Sequence, residues 1–319
     1  FLRIDGTAIE GGSGNGAFMQ KDLIEITIPD SVVSIGGGAF YGNYQLANLS
    51  LSNSLIEIAS YAFAGNSLET ISIPESVIRI NEMAFGFNSG QLKHLHLPEK
   101  LTHIGEMAFL ACGLTSLTIP KNVAQIGERA FGECKLKSLT LSNNFKYPPM
   151  NILSDGTFAT DDPQPNYPLN AELYIGARAF EKNGLTSVTI PDSTRGIGAQ
   201  AFNDNSLVSV HFLGRNSSGY DYLSFDQNST LSNITFCSEY KYVENQWINS
   251  SGGKSFFIDY DLGNSILVTE DCDGDGLPDS TDHDDDNDGV LDSEDHFPND
   301  RLYFLDTDGA GVPNAIDFD

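Results

Sequence analysis

The sequence predicts a solenoid of stacked coils with a parallel sheet along one face, ending in an irregular acidic segment. Two observations predict it. Between Phe40 and Phe202 the chain repeats itself every 22 to 24 residues, the clearest copies spanning 68–85, 92–109, 114–131 and 185–202. A unit this short cannot bury its own apolar face, so a fixed period in the twenties means units stacked on one another. The second observation is a charge imbalance. Residues 271–319 hold 17 Asp and Glu against the single Arg301, a net of −16 out of the chain's −27, which leaves −11 for the repeats.

Counting back from the final Phe of each copy, apolar residues recur at −17, −14, −12, −8 and −5, with Ala at −1. In the copy ending at Phe85 these are Leu68, Ile71, Ile73, Val77, Ile80 and Ala84. The −14 and −12 positions alternate with polar residues, which is strand periodicity with one buried face. Proline follows at −11 (Pro29, Pro74, Pro98, Pro120, Pro191). It cannot donate to a ladder, so it ends the strand. The next segment, VxxI, reads as a second short extended piece, and xxAF as a tight helical or 3₁₀ turn whose Phe plugs the interior. Burial of five to six such side chains, at roughly 1.5–3 kcal/mol each, favours stacking. Three residues after each Phe comes a ladder of Asn43, Asn66, Asn88, Cys112, Cys134, Asn183 and Asn205. An inward amide there can satisfy the backbone of its own turn and of the next coil.

These registered positions, IPxxVxxIGxxAFxxC/N, resemble the leucine-rich repeat, and more closely its bacterial surface-antigen type, over about 18–236. The resemblance implies a curved right-handed leucine-rich-repeat solenoid with a parallel β-sheet on the concave face and short extended or 3₁₀ segments elsewhere. It also implies a secreted or cell-surface protein that binds other proteins or matrix. The division it suggests is a solenoid over 1–236, a cap or linker over 237–270 and a distinct segment over 271–319. Two stretches depart from the frame. Residues 145–174 keep only Phe158 and Ile175 near register and read as a long excursion; residues 212–230, with Tyr220, Tyr222 and Phe225, read as a second one.

The acids of the tail are spaced. Residues 271–282 and 284–295 each place Asp at positions 1, 3, 5, 9 and 12 with Gly at 6, the pattern of a twelve-residue calcium loop. A hard cation needs six to eight oxygens, which alternate residues of a tight loop supply, and Gly276 and Gly289 allow the turn. No helical pattern flanks the loops. The tandem DxDxDGxxD instead resembles the thrombospondin type 3 repeat. That resemblance implies Ca2+ ligands at Asp271, Asp273, Asp275, Asp279 and Asp282, then at Asp284, Asp286, Asp288, Asp292 and Asp295. Backbone carbonyls of Leu277 and Val290 complete the two loops. A third loop carries Asp306, Asp308, Asn314 and Asp317, with Ala310 where an acid is expected, so it draws on Asp300 or water. Five carboxylates per loop cannot pack without a cation, and the segment is expected to unfold when calcium is removed.

The remaining features narrow the function. An acidic chain without a Lys/Arg patch has no means of holding nucleic acid. No stretch approaches 18 apolar residues, so no direct membrane insertion is expected. Phe1 already lies in repeat-like sequence, and the chain reads as a mature or truncated piece. Cys112 and Cys134 sit at equivalent positions of adjacent coils, as buried thiols or as a bridge. A Cys237–Cys272 disulfide would fasten tail to solenoid in an oxidising compartment. His94 and His96 alternate on one strand without a third strong ligand and read as exposed surface. Residues 11–16 (GGSGNG) lack the Lys-Ser/Thr of a phosphate loop, and no GxSxG occurs, so the chain is not expected to be an enzyme. The expected function is adhesion or protein recognition. The ligand, a protein or a glycan, would meet the concave face or the 145–172 excursion, where Tyr147, Met150 and Tyr167 would anchor it beside Asp161 and Asp162. The alternatives are a surface or matrix spacer, the targeting module of a larger enzyme, and, with less support, binding of a glycan or ice surface by the Ser/Thr columns of the strands.

Overall fold

The tightest part of each coil is the turn around its phenylalanine, and the stack is built on that turn. In the computed structural model the described residues are 2–4, 16–88, 92–142, 173–191, 193–213, 223–236, 240–243, 246–249, 267–272, 277–299, 304–307, 309 and 314. Phe18, Phe40, Phe63, Phe85, Phe109, Phe131, Phe180, Phe202 and Phe225 form one column. Successive ring centroids lie 5.1–5.6 Å apart, with planes within 15° of parallel. Parallel rings at that separation are slipped, the arrangement that ring quadrupoles favour. The rings from Phe40 to Phe202 are fully buried, alongside the apolar positions of the frame.

The turn backbone is satisfied in two directions. Around Phe85, the N–H groups of Met83, Phe85 and Phe87 donate to Glu106, Ala108 and Leu110 of the next coil, while Ala84 and Gly86 donate three residues back within their own turn. This pattern requires left-handed backbone two residues either side of the Phe, and it recurs: Tyr61, Met83, Met107, Arg129, Arg178 and Gln200 before it, Phe87, Ala111, Glu133, Lys182, Asp204 and Gln227 after it, all with φ between 51° and 60°. The expected helical or 3₁₀ turn is therefore a pair of back-to-back turns. No helix occurs among the described residues. The glycine at −4 marks how closely the coils approach: a Cβ on Gly127 would lie 2.5 Å from the Gly105 carbonyl carbon.

The ladder amides close the same turns. Asn88 Nδ2 donates to the carbonyls of Phe63 (3.2 Å) and Phe85 (2.7 Å), and its Oδ1 accepts the Leu68 N–H at 3.2 Å. Asn43, Asn66, Asn183 and Asn205 likewise bridge the phenylalanine carbonyls of their own and the preceding coil. Cys112 and Cys134 are free thiols that stand in for them with one bond each, to Phe85 O at 3.5 Å and Phe109 O at 3.3 Å. The neighbouring Cys134 thiol, and then burial, keep Cys112 protonated.

Two ladders of parallel strands run along the stack. The VxxI pieces form an uninterrupted six-stranded sheet: Glu57–Ile58, Arg79–Ile80, His103–Ile104, Gln125–Ile126, Leu173–Ile175 and Thr194–Ile197. The strands expected at −14 and −12 are parallel and in register, as at Ile26/Leu49, Ile71/Leu95 and Leu117/Leu139. Their pairing is divided, however, into Glu25–Thr27 with Asn48–Ser50, Thr70–Ser72 with His94–His96, and Ser116–Ile119 with Ser138–Leu141. A final group of four comprises Ser187–Ile190, Ser209–Phe212, Asn233–Phe236 and Leu267–Glu270. The unbroken ladder is the one that runs into the phenylalanine turns, where the coils lie closest.

The departures from the repeat are smaller than the sequence suggests. The frame resumes at Leu173, because Ile175 holds the −5 position of Phe180 and pairs with Ile126. Phe180 stacks directly on Phe131, so the interruption is an insertion into one coil. The joint carries the buried Glu181 carboxylate, 2.9 Å from Arg129 and 3.8 Å from Arg178. Residues 223–228 are not irregular: Phe225 is buried on Phe202, and Asn228 bridges the Phe202 and Phe225 carbonyls. The ladder also runs past 236, since Leu267–Glu270 pairs in parallel with Asn233–Phe236. Between them lies a hairpin of Tyr240–Val243 and Gln246–Asn249. Phe158 and the excursion residues Tyr147, Met150, Asp161, Asp162 and Tyr167 lie outside the described residues.

Two substitutions test this account. Asn88→Ala removes one of the two side-chain donors on each of the Phe63 and Phe85 carbonyls and leaves the buried Leu68 N–H without its acceptor. Urea unfolding should show a loss of about 1–3 kcal/mol; Asn88→Cys, which keeps one bond, should lose visibly less. Ala111→Gly relieves a left-handed alanine at φ 56° and should stabilise by about 1 kcal/mol. A neutral Asn88→Ala would remove the amide ladder from the account.

Candidate metal centre and recognition face

The acidic segment begins where the solenoid ends. Asp271, the first position of the first loop, follows the last strand, Leu267–Glu270, without a linker and is buried. The second loop is described throughout. Asp284, Asp286 and Asp288 each bring a carboxylate oxygen to within 4.8 Å of the others, the one such cluster of acid, Cys or His groups among the described residues. Tight turns aim them: Asp284 Oδ2 accepts the Gly289 N–H, Asp286 Oδ1 the Asp288 N–H, and Asp288 Oδ1 the Val290 N–H. Gly289 sits at φ 95°, which a side chain would resist.

Those bonds leave oxygens over. Asp286 is only 3% exposed and its Oδ2 has no hydrogen-bond partner; the same holds for Asp284 Oδ1 and Asp295 Oδ2. Burial, reinforced by Asp288, pushes the Asp286 carboxyl up to about 7, and burial likewise raises Asp295. Buried carboxylate oxygens left without a donor are costly unless a cation meets them. An all-oxygen donor set at positions 1, 3, 5 and 12 fits a hard cation such as calcium.

The first loop follows the same course thirteen residues earlier. Turns closed on Pro278 by Thr281 and Asp282 match those closed on Leu291 by Glu294 and Asp295. Asp279 Oδ1 accepts the Cys272 N–H, as Asp292 Oδ1 accepts the Asp285 N–H. Asp282 Oδ1 is engaged by the N–H groups of His283 and Asp284. In the third loop Asp306 is buried, and Asn314 Oδ1 accepts the Thr307 N–H at 2.8 Å. Asp273, Asp275, Asp308 and Asp317 lie outside the described residues. Leu277 is exposed and Val290 half-buried.

The second candidate lies on the strands. Where the ladder of −14/−12 strands breaks between His94–His96 and Ser116–Ile119, a shallow groove of about 320 Å³ opens. It is lined by His96, Leu97, Glu99, Ser116, Thr118 and Thr140. It has no signature in residue type, because it arises from a missing pairing between two regular copies. His94 and His96 are exposed as expected, with His96 Nε2 3.4 Å from Glu75.

The repeat frame has a family counterpart. The BspA type leucine-rich repeat region matches in six copies, over residues 13–137, 86–161 and 166–264. The chain belongs to that family. No curated protein matches it. Among solved structures, it is similar to a leucine-rich repeat protein from Bacteroides ovatus, at 20% identity over 73% of this chain and 63% of that one, with a TM-score of 0.47. The pneumococcal vaccine antigen PcpA matches at 21% over 67% and 56%, TM-score 0.39. A leucine rich cell surface protein from Faecalibacterium prausnitzii matches at 25% over 67% and 66%, TM-score 0.32. The chain spans less than two thirds of the length of each.

The BspA-type match stops at residue 264, just before the last rung and the acidic loops. At that boundary Cys272 is disulfide-bonded. Its expected partner, Cys237, lies outside the described residues. No helix of the described chain is long and apolar enough to cross a membrane.

Proposed function

We propose that this BspA-type chain is a secreted or cell-surface recognition protein whose solenoid meets a protein partner and whose acidic loops bind calcium. The observation that carries the calcium reading is the buried Asp286 carboxylate with its unpaired Oδ2, together with the unpaired Asp284 Oδ1 and Asp295 Oδ2 of the same loop. Asp284, Asp286, Asp288 and Asp295 would hold the ion in the second loop, and Asp271 heads the equivalent set in the first. A bound calcium supplies positive charge and oxygen-bridging that let the acids pack; the chain contributes the turns that aim them. The thrombospondin type 3-like spacing of 271–295 supports the same reading, and the disulfide at Cys272 fits an oxidising compartment outside the cell.

Recognition is assigned to the face of the −14/−12 strands and its groove. A rigid stack with short polar side chains projecting from strands offers a broad surface, and solenoids bind along such faces. Leu95, Leu97 and Leu117 give the groove an apolar floor beneath Ser116, Thr118 and Thr140. The 145–172 excursion leaves the stack after Ser138–Leu141, the strand that carries Thr140, and is proposed to border the same surface.

Calcium titration of the intact chain should show at least two sites, absent in the Asp286→Asn/Asp288→Asn double variant for the second loop. A chelator should open 271–319 to protease while 18–225 resists, since the phenylalanine stack owes nothing to the ion. Equal resistance of the tail with and without calcium would reject the metal reading. For the recognition face, Ser116→Glu with Thr118→Glu should abolish retention on immobilised extracellular-matrix protein if the intact chain is retained. Loss confined to a chain with 145–172 replaced by a regular repeat would move the site to the excursion.

A further inference from the structure

One contact recurs in all three acidic loops, and the ligand set does not use it. The backbone N–H at loop position 2 donates to the side-chain oxygen at position 9: Cys272 to Asp279 Oδ1 at 2.8 Å, Asp285 to Asp292 Oδ1 at 2.9 Å, and Thr307 to Asn314 Oδ1 at 2.8 Å. In the second loop the return half of the loop is tied back as well, by the Asp292 N–H to the His283 carbonyl at 3.0 Å. The oxygens that converge belong to positions 1, 3 and 5. Asp295 at position 12 also stands outside that cluster but keeps a buried Oδ2 with no hydrogen bond, whereas Asp292 Oδ1 is taken by the Asp285 N–H. The third loop places a neutral amide at position 9 and keeps the contact, with the Thr307 hydroxyl adding a second bond at 3.1 Å.

We infer that position 9, occupied by Asp279, Asp292 and Asn314, is a clasp that positions the loop and not a ligand of the ion. The inference rests on the calcium reading above and assigns a different role to residues whose spacing suggests ligands. Residue 2 lies between the carboxylates at 1 and 3, which repel each other before an ion arrives. Pinning its N–H to the far side of the loop fixes the backbone between them and holds both oxygens toward one point. What the clasp needs is an acceptor oxygen, not a charge, and an amide supplies it as well as a carboxylate. Groups that orient a metal site from outside the ligand set typically alter affinity by about 10–100-fold when removed.

Calcium titration of the full chain separates the two roles. Asp288→Asn removes a ligand charge and should weaken the second site by about tenfold or more. Asp292→Asn keeps the Oδ1 acceptor and should stay within about threefold of the parent, whereas Asp292→Ala should fall by about 10–100-fold. Asn314→Asp should leave the third loop within about threefold, since charge at this position is not used. Amide exchange at Asp285, read with and without calcium, supplies an independent measure: protection should persist in Asp292→Asn and be lost in Asp292→Ala. If Asp292→Asn weakens calcium as much as Asp288→Asn, position 9 is a ligand and the inference fails. If the parent chain binds no calcium, the metal reading fails instead, and the Asp285 amide still reports whether the clasp exists.

Discussion

The structure depends on one constraint: the phenylalanine turn is buried, so every polar group of its backbone must find a partner inside the stack. The turn meets this by sending alternate N–H groups to the next coil and the others to itself, as Met83, Ala84, Phe85, Gly86 and Phe87 show. The carbonyls of the phenylalanines remain, and the ladder amides take them. A lost hydrogen bond in such a place costs about 1–3 kcal/mol, comparable to the burial of an apolar side chain. The column of rings and the column of amides are therefore two parts of one device. Neither works in an isolated coil, because each amide needs the coil before it.

This explains which features were legible in the sequence. Burial leaves a mark on residue type, so the positions at −17 to −1 and the Asn/Cys ladder could be read directly. Left-handed backbone leaves little mark when the turn is held from outside: Met83, Arg129 and Lys182 stand where Gly38, Gly42 and Gly65 stand in earlier coils. Residues 212–230 looked irregular because the copy is preceded by unusual sequence, yet Phe225 and Asn228 sit three apart, as in every other coil. In the acidic segment the spacing marked the carboxylates but not which of them hold backbone N–H groups, because an acid that accepts an N–H and one with a free oxygen are the same letter. Asn314 at position 9 keeps the contact without a charge.

Insertions show what the device tolerates. The stretch between Phe131 and Phe180 carries an added length of chain, yet the two rings lie 5.6 Å apart, within the range of the regular coils. Asn183 reaches across that joint to the Phe131 carbonyl and accepts the Leu136 N–H, just as Asn88 does between consecutive copies. Glu181 adds an ion pair to Arg129 of the preceding coil, where other coils place Ala64, Gly86 or Gly132. Closing a long loop costs only slowly more as it lengthens. A stack whose joints are fixed by side chains can thus accept a long insertion without losing register.

The end of the stack poses the opposite problem. A parallel ladder terminates in a strand with one unpaired edge, and such edges invite further pairing. Here the last rung, Leu267–Glu270, runs directly into Asp271 and Cys272, the first two residues of an acidic loop. The Cys272 N–H is held by Asp279, and its sulfur is in a disulfide, so the chain leaves the ladder at a point fixed twice. The apolar core stops where carboxylates take over as the inward-facing groups. The solenoid and the tail thus meet where buried apolar side chains give way to buried carboxylates such as Asp271 and Asp286.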